Sequence, residues 1–157
     1  MERELKFTVS GRIAKPVEEV FEAVVNPDQL SHYFTTGGAK GRLESGATVS
    51  WDFHDFPGAF PVKVSEVITN KKIVLHWGAA NDSPDGEMLA AHDTTVTMSF
   101  EALEDGRTLV SITEEGWRDT PNGLKAAFGN SEGWTGMLAA MRMWLEHGIH
   151  FRQGFYK

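Results

Sequence analysis

Residues 131–148, SEGWTGMLAAMRMWLEHG, limit what this chain can fold into more than any other stretch. Trp134, Met137, Leu138, Met141, Trp144 and Leu145 recur at i, i+3, i+4 and i+7, the spacing of one helix face. Ala139, Ala140 and Met143 widen that face beyond a coiled-coil stripe. Ser131 is placed to cap the amino end, Glu132 suits the positive end of the dipole, and Gly148 suits the stop. Such a helix is roughly 25 Å long, the width of a small domain. Two tryptophans and three methionines on one helix cannot be left in water, so the remaining chain must supply a surface to cover them.

That surface reads as strands. Residues 4–13 alternate, with Leu5, Phe7 and Val9 against Lys6, Thr8 and Ser10. Pro16 opens a helix with Val17, Val20, Phe21 and Val24 on its buried stripe, and Asn26-Pro27 starts a second, shorter one with Leu30, Tyr33 and Phe34 inward. From Lys40 to about residue 117 the pattern is strand and turn. Ser45-Gly46 joins 40–44 to 47–54, Asn70-Lys71 joins 60–69 to 72–78, and Asp105-Gly106 joins 93–103 to 107–116. Residues 79–92, AANDSPDGEMLAAH, form a polar loop longer than a hairpin needs, either a lid or a tolerated insertion. Residues 118–130, rich in Gly, Asn, Asp and Pro, read as a bridge into the long helix. The order predicts an α+β fold: a curved antiparallel sheet of about seven strands around a long C-terminal helix, with two short helices after the first strand. At 157 residues the chain is expected to be one domain spanning 1–157.

Composition narrows function by exclusion. The formal net charge is -7, which argues against nucleic acid, since phosphate backbones need basic patches. There is no cysteine, so disulfides, thiolate metal sites and thiol nucleophiles are excluded. No run has the length of a signal peptide or a membrane span, so a cytoplasmic protein without membrane insertion is expected. No G-x-x-x-x-G-K or strand-linked G-x-G-x-x-G is present, which removes nucleotides from the ligand classes.

KPVEEVFEAVVNPDQLSHYF (15–34) resembles the opening helix pair of the START-like, or SRPBCC, superfamily. The Gly41–Trp51 hairpin, the strand ending at Trp77 and EGWTGMLAAMRMWLE (132–146) resemble its branch named after the heat shock protein 90 ATPase activator. The resemblance covers nearly the whole chain. It implies a helix-grip fold with a deep, mostly apolar cavity between long helix and sheet, in a superfamily whose members bind lipids, hormones or polyketides and include a few cyclases. The branch's namesake carries a further amino-terminal domain that this chain lacks, so a chaperone partner is not expected. A homodimer is left open.

Several residues invite chemistry. Gly129-Asn130-Ser131-Glu132-Gly133 matches the G-x-S-x-G pattern of serine hydrolases, but PNGLKAAF before it has no strand signal, so Ser131 reads as a helix cap. His147, His150 and Glu146 are close in sequence, yet Gly148 separates them and no third metal ligand is evident; no metal and no cofactor are expected. His54 stands between Asp52 and Asp55, and His76 points outward by parity with Trp77. His92 shares parity with Val96 and Met98, at the expected cavity mouth. Glu114 follows Val110 and Ile112 on the inward face, where an acid can serve as a general acid or orient a polar ligand group. Glu66 is inward by the same parity after Val62 and Val64.

Parity and helix face together give the expected ligand cavity: Trp51, Phe53, Val64, Trp77, Val96, Met98, Ile112, Glu114, Trp134, Leu138 and Met141. Large rings and pliable methionines suit an apolar ligand of variable shape. The expected function is binding of a small hydrophobic molecule or lipid, with no catalytic residue assigned. The alternatives are a cyclase- or hydrolase-like enzyme using Glu114 or His92, and a co-chaperone-like interaction module.

Overall fold

A computed structural model describes residues 4–79 and 92–157. The chain runs β1 (Leu5–Ile13), α1 (Val17–Val25), α2 (Pro27–Leu30), β2 (Gly38–Lys40), β3 (Thr48–Phe53), β4 (Phe56–Ile68), β5 (Lys72–Gly78), β6 (Asp93–Ala102), β7 (Thr108–Trp117) and α3 (Pro121–His147). Among the described residues the strands form one seven-stranded antiparallel sheet in the order β1-β7-β6-β5-β4-β3-β2. The long helix lies against β1, β7 and the sheet's inner face, the α+β arrangement the sequence predicts and the helix-grip fold the resemblance implies. Most of the loop at 79–92 lies outside the described residues.

Period-two alternation holds along the central strands. Val96, Met98 and Phe100 on β6 and Val110 and Ile112 on β7 are buried, while Thr95, Thr97, Ser111 and Thr113 turn to the other face. The parity breaks on β4. The register slips between Val64 and Glu66, so Ser65 is the extra residue of a bulge. Glu66 therefore turns away from the core and meets Lys72 at 3.2 Å, and Val67 takes the inward place expected of Glu66. Asn70 closes the β4–β5 turn at φ 62°, a left-handed conformation that asparagine tolerates.

Four further expectations are corrected. The strand expected at 40–44 is the short β2 at Gly38–Lys40, with a longer connection to β3 through Ser45-Gly46. The second helix ends at Leu30; Tyr33 and Phe34 are buried from the turn that follows, and the Tyr33 hydroxyl donates to the Ala23 carbonyl at 2.9 Å. Ala139 is exposed, so the apolar face of α3 is narrower than predicted there. The largest difference is at the start of α3. It begins at Pro121, ten residues before Ser131, and its cap is Thr120, whose hydroxyl accepts the Gly123 amide at 2.9 Å. Ser131 is an interior residue.

With 27 residues, α3 is about 40 Å long. Gly11 on β1 faces the helix, where a Cβ would lie 3.6 Å from Leu138 Cβ, in ordinary contact. Glu146 accepts the Ala14 amide at 3.1 Å, which ties the far end of α3 to the end of β1. Gly148, at φ 66°, turns its amide back to the Met143 and Trp144 carbonyls and stops the helix. Met137 and Met141 meet Val62, Ile73, Leu75, Val96, Met98 and Ile112 in one core cluster, each with no exposed surface. Burial on this scale contributes about 1.5–3 kcal/mol per side chain.

Candidate functional site

The hollow under α3 is unevenly filled. Beneath the second half of the helix it is occupied by the protein's own side chains. Beneath the first half an open chamber of about 340 Å³ remains.

Its floor is built on one buried acid. Glu114 stands on β7 opposite Phe7 of β1 and Val96 of β6, and no part of its surface is exposed. Five contacts converge on its carboxyl, and donors supply all of them. Trp134 Nε1 of α3 donates to Oε1 at 2.8 Å, and Trp77 Nε1 of β5 donates to Oε2 at 2.8 Å. The Thr94 hydroxyl of β6 donates to Oε2 at 2.5 Å, and Asn130 Nδ2 of α3 spans both oxygens at 3.1 and 3.2 Å. A carboxylate offers about four lone-pair sites, so the protein itself uses them. One side chain thus pins three strands and a helix, and it fixes the orientation of two indole rings.

Those rings carry the aromatic floor. Trp77 and Trp134 lie 5.3 Å apart by ring centroids, and Phe34 stacks on Trp134 at 5.3 Å. Phe53 meets Phe34 edge-on at 4.9 Å, and Trp51 packs behind against Phe34 and Trp77. The helix wall is Gly129, Asn130, Glu132 and Gly133, four residues of the G-x-S-x-G stretch. The pattern therefore serves neither an elbow nor a cap. Its two glycines are one turn apart and leave open space, since a Cβ at either would meet nothing within 4 Å.

The remaining wall is Phe56 at the start of β4 together with Arg152 and Tyr156 of the C-terminal tail, residues 148–157. Asp55, in the two-residue turn between β3 and β4, accepts the Gly154 amide at 2.7 Å and the Tyr156 amide at 2.9 Å. These two N–H groups hold its carboxyl below the usual carboxylate range, with His54 adding a smaller effect. Tyr156 lies on α3 at Gly136, where any Cβ would collide with its hydroxyl oxygen. So clasped, the tail brings Arg152 over Phe34, Phe53 and Tyr156, with its guanidinium carbon 5.3, 6.0 and 4.8 Å from the ring centroids. Arg152 is 8% exposed, and desolvation pushes its guanidinium below its usual value.

Of the residues expected to form the cavity, Phe53, Trp77 and Trp134 line the chamber and Glu114 lies under it. Trp51, Val64, Val96, Met98, Ile112, Leu138 and Met141 are placed in the packed core. His92 precedes β6 and is not part of the lining. His76, on the outer face, bridges Thr95 and Ser65 at 3.1 Å each. His150 lies 2.7 Å from the His32 carbonyl and packs with His32 against Trp144. Among the described residues no three of His, Asp or Glu converge as metal ligands. Nor is any helix there long and apolar enough to cross a membrane.

Asn130, Asp55, Tyr156 and Arg152 were not legible as site residues. The stretch FRQGFYK held a signal in its three aromatic rings around one arginine, a density unusual for a segment with no strand or helix period.

Comparison with known proteins agrees with this architecture. The profile of the family described as Activator of Hsp90 ATPase homolog 1-like protein matches residues 14–146. The crystal structure of protein SSP2350 from Staphylococcus saprophyticus superposes with a TM-score of 0.76 at 26% identity, over 94% of this chain and 96% of that one. The solution structure of the Aha1 dimer from Colwellia psychrerythraea gives 0.71 at 24% identity, over 92% and 98%. DynU16, of the dynemicin biosynthetic locus, gives 0.72 at 19% identity, over 91% of this chain and 48% of its own. No match is found among curated proteins.

Proposed function

The chain belongs to the Activator of Hsp90 ATPase homolog 1-like family, and from that premise we propose that it is a small-molecule-binding protein whose site is the aromatic chamber under the first half of α3. The observation that carries this reading is the pairing of open space with a rigid floor. Two indoles line a chamber of about 340 Å³, and their N–H groups are turned away from it onto Glu114. The lining is thereby left largely apolar, as pockets with few polar groups require. Binding is favoured over catalysis because the acid that parity points inward has its acceptor sites taken by Trp77, Thr94, Asn130 and Trp134.

Gly133 supplies the test. It lines the chamber, and a Cβ there meets nothing within 4 Å, so Gly133→Phe starts a bulky side chain from the chamber wall with no clash at its root. Titration with the neutral dye N-phenyl-1-naphthylamine should show saturable binding to the native chain and none to the variant. Equal binding by both, with the variant folded, would place any ligand elsewhere.

A further inference from the structure

Arg152 has no role in an apolar chamber as such. A guanidinium carries five N–H donors in a planar fork. Among the described residues its hydrogen bonding is one long contact, Nη1 to the Gly133 carbonyl at 3.5 Å. The rest of its surroundings are the faces of Phe34, Phe53 and Tyr156. A cation more than nine-tenths buried, lining an open space, with its donors largely unspent, is an incomplete ion pair.

No neighbouring carboxylate completes it. Asp55 lies close enough to act on Arg152 through its charge, but its oxygens accept the two tail amides and make no hydrogen bond to the guanidinium. Glu114 is committed to the two tryptophans, Thr94 and Asn130. Glu132 is on the exposed rim of the chamber, where water and salt screen it. Asn130 gives its amide nitrogen to Glu114. Arg152 is therefore the strongest free recognition element the chamber wall presents.

Resting on the binding reading above, we propose that the chamber takes a small planar carboxylate, its ring beside Phe53, Phe56 and Trp77 of the lining and its anionic end on the fork of Arg152. Carboxylate and guanidinium match in plane and donor spacing, and the pairing is strong where water is excluded. A chamber of about 340 Å³ is at the small end for ligand sites, which run from about 300 to 1,000 Å³, so one or two fused rings suit it and a long acyl chain does not. The tail is then part of the binding site, and the Asp55 clasp positions Arg152 in it.

The probes are 2-naphthoate and its neutral isostere 2-naphthamide, titrated by calorimetry against the full chain. The acid should bind the native protein at least about tenfold more tightly than the amide. Arg152→Met should erase that preference, weakening the acid about tenfold more than it weakens the amide, while Arg152→Lys, with charge but no fork, should fall between. Hydrogen exchange at the Gly154 and Tyr156 amides shows whether each variant keeps its tail docked, and the acid-to-amide ratio of the native chain needs no variant. Equal affinities for acid and amide, or an undiminished preference in a docked Arg152→Met, would overturn the proposal and leave the chamber reading standing. Failure of both probes to bind would overturn the proposal, and the dye titration decides the chamber reading separately.

Discussion

Glu114→Gln puts the central network to a quantitative test. The substitution keeps the shape of the side chain and turns one acceptor oxygen into a donor. If the new amide group takes the Oε1 place, it faces Trp134 Nε1–H; in the Oε2 place it faces Trp77 Nε1–H. Thr94 can rotate its hydroxyl to accept, and Asn130 can flip its amide, so those two contacts are recoverable. An indole can do neither, being a donor only. One buried tryptophan N–H is left against another donor in either orientation, and an unsatisfied buried group costs about 1–3 kcal/mol, with the facing dipoles adding to it. We expect a loss of about 2–3 kcal/mol, which for a domain of this size lowers Tm by about 4–12 °C. Thermal unfolding by far-UV circular dichroism reads the stability, and near-UV bands report whether the two indoles stay fixed. Trp134→Phe relieves the conflict at Oε1, so the double variant should be more stable than the sum of the single losses by about 1 kcal/mol. Additive losses, or a Tm for Glu114→Gln within a degree of native, would refute the hub role.

Other expectations follow from neighbouring geometry. Gly133→Ala should raise Tm by about 1–4 °C, because it removes helix-interior glycine entropy worth about 0.5–1 kcal/mol where a Cβ meets nothing within 4 Å; a lower Tm would show the space is needed for packing. Gly136→Ala should instead unseat the tail, since its Cβ would collide with the Tyr156 hydroxyl oxygen, and amide exchange at residues 154 and 156 should rise about tenfold with the sheet amides unchanged. The clasp should also be acid-labile. The Asp55 carboxyl titrates lower folded than unfolded, so its contribution is complete above the ordinary aspartate value and is lost as pH falls below it through the folded value. Exchange or proteolysis confined to the tail should then appear below about pH 4, and Asp55→Asn should show it already at neutral pH.

What the sequence disclosed follows from which forces act locally. Strand parity found Glu114, Trp77 and the core of β6 and β7, because period two survives wherever the ladder is regular. It failed at Glu66, where the bulge at Ser65 inverts the faces and leaves no mark on the pattern of apolar residues. The helix face from Trp134 to Leu145 was legible because large side chains repeat at 3.6-residue spacing only where a helix buries one side. The first ten residues of α3 were not, and the reason bears on function. Gly123, Gly129 and Gly133 lower helix propensity, and Asn122 and Asn130 suit turns, so local preference alone reads 121–130 as a bridge. A local cap at Thr120 starts the helix, and two tertiary contacts overrule that preference: the seat of Trp134 on Glu114, and Asn130 spanning both oxygens of the same acid. A chain selected only for stability would fill Gly129 and Gly133 with alanine, since a Cβ there meets nothing within 4 Å. The stretch where propensity misleads is therefore the stretch that keeps the chamber open, which is where a conflict between local preference and fold is expected if the empty space has a use.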